Sequence, residues 1–88
     1  MNFLKFSLGY LSGGALVVTT LDGVESDVFL VDPSNLLDFE RGRSFSYTGG
    51  HYKSSPVRLR VPTAGQWTAV VVPGVGGQVQ ASVEVVAA

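Results

Sequence analysis

In VQASVEVV, near the end of the chain, Val79, Ala81, Val83 and Val85 share one parity, while Gln80, Ser82 and Glu84 share the other. A period of two sends alternate side chains to opposite faces, so this pattern predicts a strand with one buried and one wet side. PVRLRV repeats it: Val57, Leu59 and Val61 point one way, Arg58 and Arg60 the other. Pro56 stands where a strand begins without losing a ladder bond, and Pro62 where one ends. GQWTAVVV is apolar on both parities. Trp67, Ala69 and Val71 are assigned to the core, because the indole brings the largest apolar area. Thr68, Val70 and Val72 then need a cover, from elsewhere in the chain or from a partner, and the chain itself is expected to supply it.

The earlier segments read similarly. FLKFSLGYL alternates, with Leu4, Phe6, Leu8 and Tyr10 on one parity. ALVVTTL is rich in β-branched residues and bounded by the turn signals Gly13-Gly14 and Asp22-Gly23. DVFLV is a short strand, and the GVGG of positions 74–77 reads as a hairpin turn. One helix is predicted in DPSNLLDFERG, with Asp32 as N-cap, Pro33 at the first helical position and Gly42 as terminator. It is a turn or two long, packed on a sheet through Leu36, Leu37 and Phe39. The sum is all-β: a single antiparallel β-sandwich, jelly-roll-like, of about seven to eight strands with one short helix. It forms one domain over residues 1–88.

Composition agrees. A chain of 88 residues buries roughly 60% of its unfolded surface, enough for one core. Hydrophobic residues make up 45% and charged residues 15%, which excludes a disordered chain. Eleven glycines suit many turns between short segments. The absence of cysteine excludes thiol catalysis and thiolate metal sites and favours a cytoplasmic location. The start, MNFLKFSLGYLSGG, lacks the continuous apolar stretch of about 7–15 residues of a secretory signal and reads as a first strand. No run approaches the ~20 residues of a membrane span, so no membrane is expected as partner.

Charge is nearly balanced at −1, but unevenly spread. Asp22, Glu25, Asp27, Asp32, Asp38 and Glu40 precede Arg41, Arg43, Lys53, Arg58 and Arg60. Such a split suits a bipolar surface meeting a charged partner or a second copy. It also suits segments that face each other and cancel, the reading we favour. Nucleic acid is not expected as a partner of a slightly acidic domain. A lone His without Cys gives no zinc spacing, and a calcium site from Asp22, Glu25, Asp27 and Asp32 has no spacing rule behind it. No metal and no cofactor are expected. Gly-x-Ser-x-Gly is absent and nothing pins a partner to His51, so no enzymatic activity is expected.

The most unusual stretch is RGRSFSYTGGHYKSSP, where two glycines sit among aromatics and cations. Glycines reach φ > 0, so Gly49-Gly50 is expected to form a tight turn. Arg41, Arg43, Tyr47, His51, Tyr52 and Lys53 would flank it. As a recognition loop it offers flat rings for stacking and guanidinium groups for anions. As plain structure it is a packed hairpin whose tyrosine hydroxyls bond to backbone. Both readings stay open.

A longer pattern carries a resemblance. Arg41-Gly42-Arg43, Tyr47-Thr48-Gly49-Gly50-His51, Ser55-Pro56-Val57, Val61-Pro62, Gly65-x-Trp67 and Ala81-Ser82-Val83, with the MNFLKFSLGYLSGG start, resemble the bacterial family known as domain of unknown function 1883. The resemblance covers nearly the whole chain. It implies a small β-sandwich, either alone or beside other domains, including TIR-like ones, and brings no activity with it. The chain departs from that family's pattern at Ala15 and at Val72-Pro73-Gly74-Val75, where acids are usual. More weakly, its layout is similar to pre-peptidase C-terminal sandwich domains, accessory modules of which some bind carbohydrate or calcium. The expected function is a non-enzymatic binding or interaction module of bacterial origin. Its surface would comprise Arg41, Arg43, Tyr47, Gly49, Gly50, His51, Tyr52 and Lys53, and its partner would be a protein or a small molecule. The alternatives are a structural, self-associating homo-oligomer and a carbohydrate- or calcium-binding accessory sandwich.

Overall fold

The computed structural model describes residues 2–87. Seven strands run in the order β1 (Leu4–Leu11), β2 (Leu16–Gly23), β3 (Ser26–Val31), β4 (Thr48–Tyr52), β5 (Val57–Arg60), β6 (Gly65–Pro73) and β7 (Val79–Val86). A single helix, α1 (Pro33–Glu40), separates β3 from β4. Two antiparallel sheets result, β1-β6-β3-β4 and β5-β2-β7. The pairing is nested: β3 with β4, β2 with β5 around them, and β1 with β6 outermost. That is a long hairpin rolled into a sandwich, the jelly-roll arrangement, with β7 added beside β2.

Period-two burial builds the space between the sheets. Val17 on β2, Val28 and Leu30 on β3, Val57 and Leu59 on β5, and Ala69 and Val71 on β6 interlock there. Trp67 packs against this core, only partly buried, and its indole N–H donates to the Thr63 carbonyl at 2.9 Å. Tyr10 departs from the expected parity and is 66% exposed. The cause is a bulge: the register with β6 shifts between Ser7 and Gly9, with Gly9 at φ +71°, so parity flips and Leu11 faces inward in place of Tyr10. The glycines at 74–77 also depart from expectation. They join β6 to β7, which lie in different sheets, so they form a crossing between layers and not a hairpin.

The second face of β6 finds its cover within the chain. Helix α1 lies over the outer side of the four-stranded sheet and seals Phe39 against Phe29, Val31 and Val70. Its ends follow from the sequence. Asp32 caps the N-terminus, its carboxylate accepting from the Asn35 N–H at 2.8 Å. At the other end Gly42, at φ +71°, donates to the Phe39 carbonyl at 3.1 Å, and Arg43 donates to that of Asp38 at 2.8 Å. Those two bonds make a Schellman motif, which needs a residue in the left-handed conformation where Gly42 stands. Lys5 of β1 reaches Glu40 at 2.8 Å and ties helix to sheet. No helix among the described residues is long and apolar enough to cross a membrane.

One polar group is out of place in this interior. Thr19 on β2 is 1% exposed, between Val57 and Val83 in the ladders, and its hydroxyl has no hydrogen-bond partner among the described residues. A buried unpaired hydroxyl costs about 1–3 kcal/mol, and valine has the same shape without it. Thr19→Val is therefore expected to stabilise the fold by about 1 kcal/mol, read as a higher urea midpoint with an unchanged denaturant slope.

Candidate functional site

The outer face of the four-stranded sheet carries more than the helix. On β3, Asp27, Phe29 and Val31 point outward while Val28 and Leu30 point into the sandwich. Strand β4 pairs in register, Phe29 opposite Gly49 and Asp27 opposite His51. The Phe29 ring meets rings brought in by the helix and the loop after it. Phe29 lies 5.3 Å from Phe39 and 5.5 Å from both Phe45 and Tyr47, and Phe45 lies 5.3 Å from Tyr47. Edge-on and tilted rings at such spacings attract beyond their buried area. Tyr47, at the rim, is 55% exposed.

These rings, with Val72, wall a surface trough of about 470 Å³, floored in part by Gly50 and closed on one side by Asp27 and His51. The charged wall has defined geometry. His51 Nδ1 lies 2.7 Å from Asp27 Oδ1, and its Nε2 lies 3.4 Å from Glu25 Oε1. A carboxylate only accepts, so Nδ1 carries the proton it gives to Asp27. The bond to Asp27 first, and that to Glu25 second, hold the ring's pKa above its ordinary value of 6.5. Both ring nitrogens face carboxylates. A histidine that activates a serine needs one of them directed at the hydroxyl, which is not the arrangement here.

The eight residues singled out in the sequence are therefore divided. Tyr47, Gly50 and His51 line the trough. Gly49 stands opposite Phe29 in the ladder, close against its backbone. Tyr52, on the other parity, packs against the inter-sheet core. Arg43 is bound to Asp38, with Nη2 at 2.8 Å from Oδ1. Arg41 is the helix C-cap, and Lys53 is exposed beyond the end of β4. Neither arginine nor Lys53 lines the trough, so the expected pairing of rings with guanidinium groups does not form. The Gly-Gly turn is also corrected: both glycines lie inside β4. Gly49, at φ +146°, makes room for a close approach, since a Cβ there would overlap the Val28 carbonyl oxygen.

The trough residues overlooked in the sequence are Asp27, Phe29, Phe39, Phe45 and Val72. Parity within DVFLV already put Asp27 and Phe29 on one face, but their opposition to His51 and Gly49 depends on strand register. The acids of 22–32 do not converge: Asp32 caps the helix, while Glu25 and Asp27 hold His51. Among the described residues no group of three or more ligating side chains is arranged to hold a metal ion. Charge cancels where Arg43 meets Asp38 and His51 meets Asp27, whereas Arg60 donates to the Gly14 carbonyl instead.

Fold and surface together define a jelly-roll-like sandwich, capped by one helix, with an aromatic trough beside an edge strand. The model of the family described as Domain of unknown function (DUF1883) matches residues 1–88, and the chain belongs to that family. A search of curated proteins and a search of solved structures each found no match.

Two outcomes follow from this geometry. Gly49→Ala is expected to lower stability by about 2–4 kcal/mol through strain and overlap. Gly50→Ala, whose new carbon meets only the Tyr52 hydroxyl at 4.0 Å, stays within about 1 kcal/mol of wild type; denaturant melts compare the two. For His51, a folded pKa above the unfolded one means that its contribution is complete below about pH 6.5 and fades as pH rises through the folded value. The thermal midpoint is expected to fall over that range, and His51→Gln to flatten the fall. Ring titration by NMR should give a midpoint above 6.5 that drops in Asp27→Asn.

Proposed function

We propose that this protein is a non-enzymatic binding module. Its site is the aromatic trough, and its ligand is a small molecule or a side chain with a flat apolar body and a cationic head. One observation carries the reading: Phe45 and Tyr47, backed by the buried Phe29 and Phe39 and by Val72, line a cavity of about 470 Å³ whose charged wall, among the described residues, is the Asp27–His51 pair. Pockets of this size are usual for small ligands, with apolar walls for affinity and a few polar groups for orientation. Ring faces attract cations by about 0.5–2 kcal/mol, more when water is excluded. Asp27 and Glu25 outweigh the single charge of His51 even when the ring is protonated, so the rim favours a positive group over a negative one. Of the basic residues first suspected of holding an anion, Arg43 is bound to Asp38, and neither Arg41 nor Lys53 lines the trough. The cysteine-free composition favours a cytoplasmic setting in a bacterium.

The test uses phenethylamine, a ring with an ammonium head, titrated into the labelled protein at about pH 8, with phenylacetate as the anionic control. Amide shifts are expected at Tyr47, Gly50 and His51 with millimolar affinity. Tyr47→Ala and Asp27→Asn should each weaken binding by roughly fivefold, about 1 kcal/mol. No shift up to about 10 mM, shifts outside the trough, or a preference for the carboxylate would remove this reading.

A further inference from the structure

Four strands present a free edge in the two sheets, and three are blunted. Strand β1 is interrupted by its bulge and carries Lys5. Strand β5 has only four residues, bracketed by Pro56 and Pro62 and bearing Arg58 and Arg60. Strand β4 has five residues, two of them glycine, which pair weakly. Short strands, proline, bulges and charge are the usual means of keeping edges apart. Strand β7 is neither short nor bulged and has no proline. Its eight residues pair with β2 without a break in register, contain no Gly, Pro, Lys or Arg, and carry one charge, Glu84. Among the described residues no strand pairs with its outer edge.

Its core face is also incompletely covered. Val17 and Thr19 on the neighbouring β2 are sealed, but Val79, Ala81 and Val83 are only half-buried and Val85 is 38% exposed. Beside them, across the mouth of the sandwich, Leu4 of β1 is 36% exposed. An occupant of this edge must be an extended strand with apolar side chains at alternate positions on the core side and polar ones, without a charge repelled by Glu84, outside.

We propose that the occupant is β7 of a second copy, antiparallel about a two-fold axis at Ser82. In that register Ser82 faces Ser82, Gln80 faces Glu84, Ala81 faces Val83 and Val79 faces Val85. No like charges meet, and Val79, Ala81, Val83 and Val85 each meet an apolar residue. Opposed residues in antiparallel strands share a face, so a half-step shift that set Ser82 against Val83 would turn the partner's core side outward. An axis at Glu84 would oppose two carboxylates. The axis at Ser82 uses the strand best, and it joins the two three-stranded sheets into one of six strands by an isologous contact.

The absence of cysteine makes the test direct. Ser82→Cys is expected to crosslink to a dimer under mild oxidation, because opposed Cβ atoms in such a pair lie about 5 Å apart. Ser34→Cys, exposed on α1, should crosslink far more slowly. Sedimentation of the wild-type protein at about 200 µM should show a species of twice 9.3 kDa. Ser82→Lys, which sets two ammonium groups across the axis, should raise its dissociation constant roughly tenfold with an unchanged far-ultraviolet circular dichroism spectrum. A wild-type monomer at that concentration overturns the proposal. So does a dimer indifferent to Ser82→Lys, or a Ser82→Cys rate no faster than that of Ser34→Cys.

Discussion

Strands β3 and β6 are buried on both faces, and the rest of the molecule is arranged around that fact. Val28 and Leu30 look into the sandwich while Phe29 and Val31 look out, and all four are shielded from water. Ala69, Val70 and Val71 repeat this on β6. A sheet whose central strands are apolar on both sides needs a second layer over its outer face. With 88 residues there is room for one short helix, and α1 is that layer. An isolated helix of two turns is unstable. Its cap at Asp32, its Schellman end at Gly42 and the contact of Phe39 with Phe29 hold it only where the sheet offers an apolar surface.

The trough is a consequence of this economy. The helix is too short to cover the whole outer face, so the sheet emerges beyond it at β4. There the aromatic cover breaks off into solvent at Tyr47, and the exposed end of the face is closed by the ladder pair Asp27 and His51. The Phe29–Phe39–Phe45–Tyr47 cluster therefore serves two purposes. Its inner part, Phe29 and Phe39, is core; its outer part is surface with the same chemistry. Gly49 lets β4 come close to β3 beside Phe29, since a Cβ there would overlap the Val28 carbonyl oxygen.

Much of the fold was legible in the chain. Period two marked the strands on both sides of the sandwich, and the Asp32-Pro33 start with the Gly42 stop marked the helix to within a residue. The double apolar parity of GQWTAVVV announced a covered outer face. Local signals served less well where a residue's neighbours lie far away in sequence. Tyr10 was misassigned because a bulge at Leu8-Gly9 depends on how β1 meets β6, which no pattern within β1 displays. Gly49-Gly50 looked like a turn because paired glycines most often are, yet here they lie inside β4, with Gly49 against the backbone of β3.

The same division applies to the site. The sequence alone determined that rings, a single histidine and two glycines lie together between Arg41 and Lys53, because proximity along the chain guarantees proximity in space. Outside the bulged β1 it also determined which residues of a strand share a face, because parity along an unbroken strand is a local property. Tertiary structure decided the rest. Strand register set Asp27 against His51 and Phe29 opposite Gly49, parity removed Tyr52 to the other side, and helix packing drew Arg43 onto Asp38. Register and packing are chosen by the summed burial of the whole sheet, so the trough's acidic wall could be known only once β3, β4 and α1 had met.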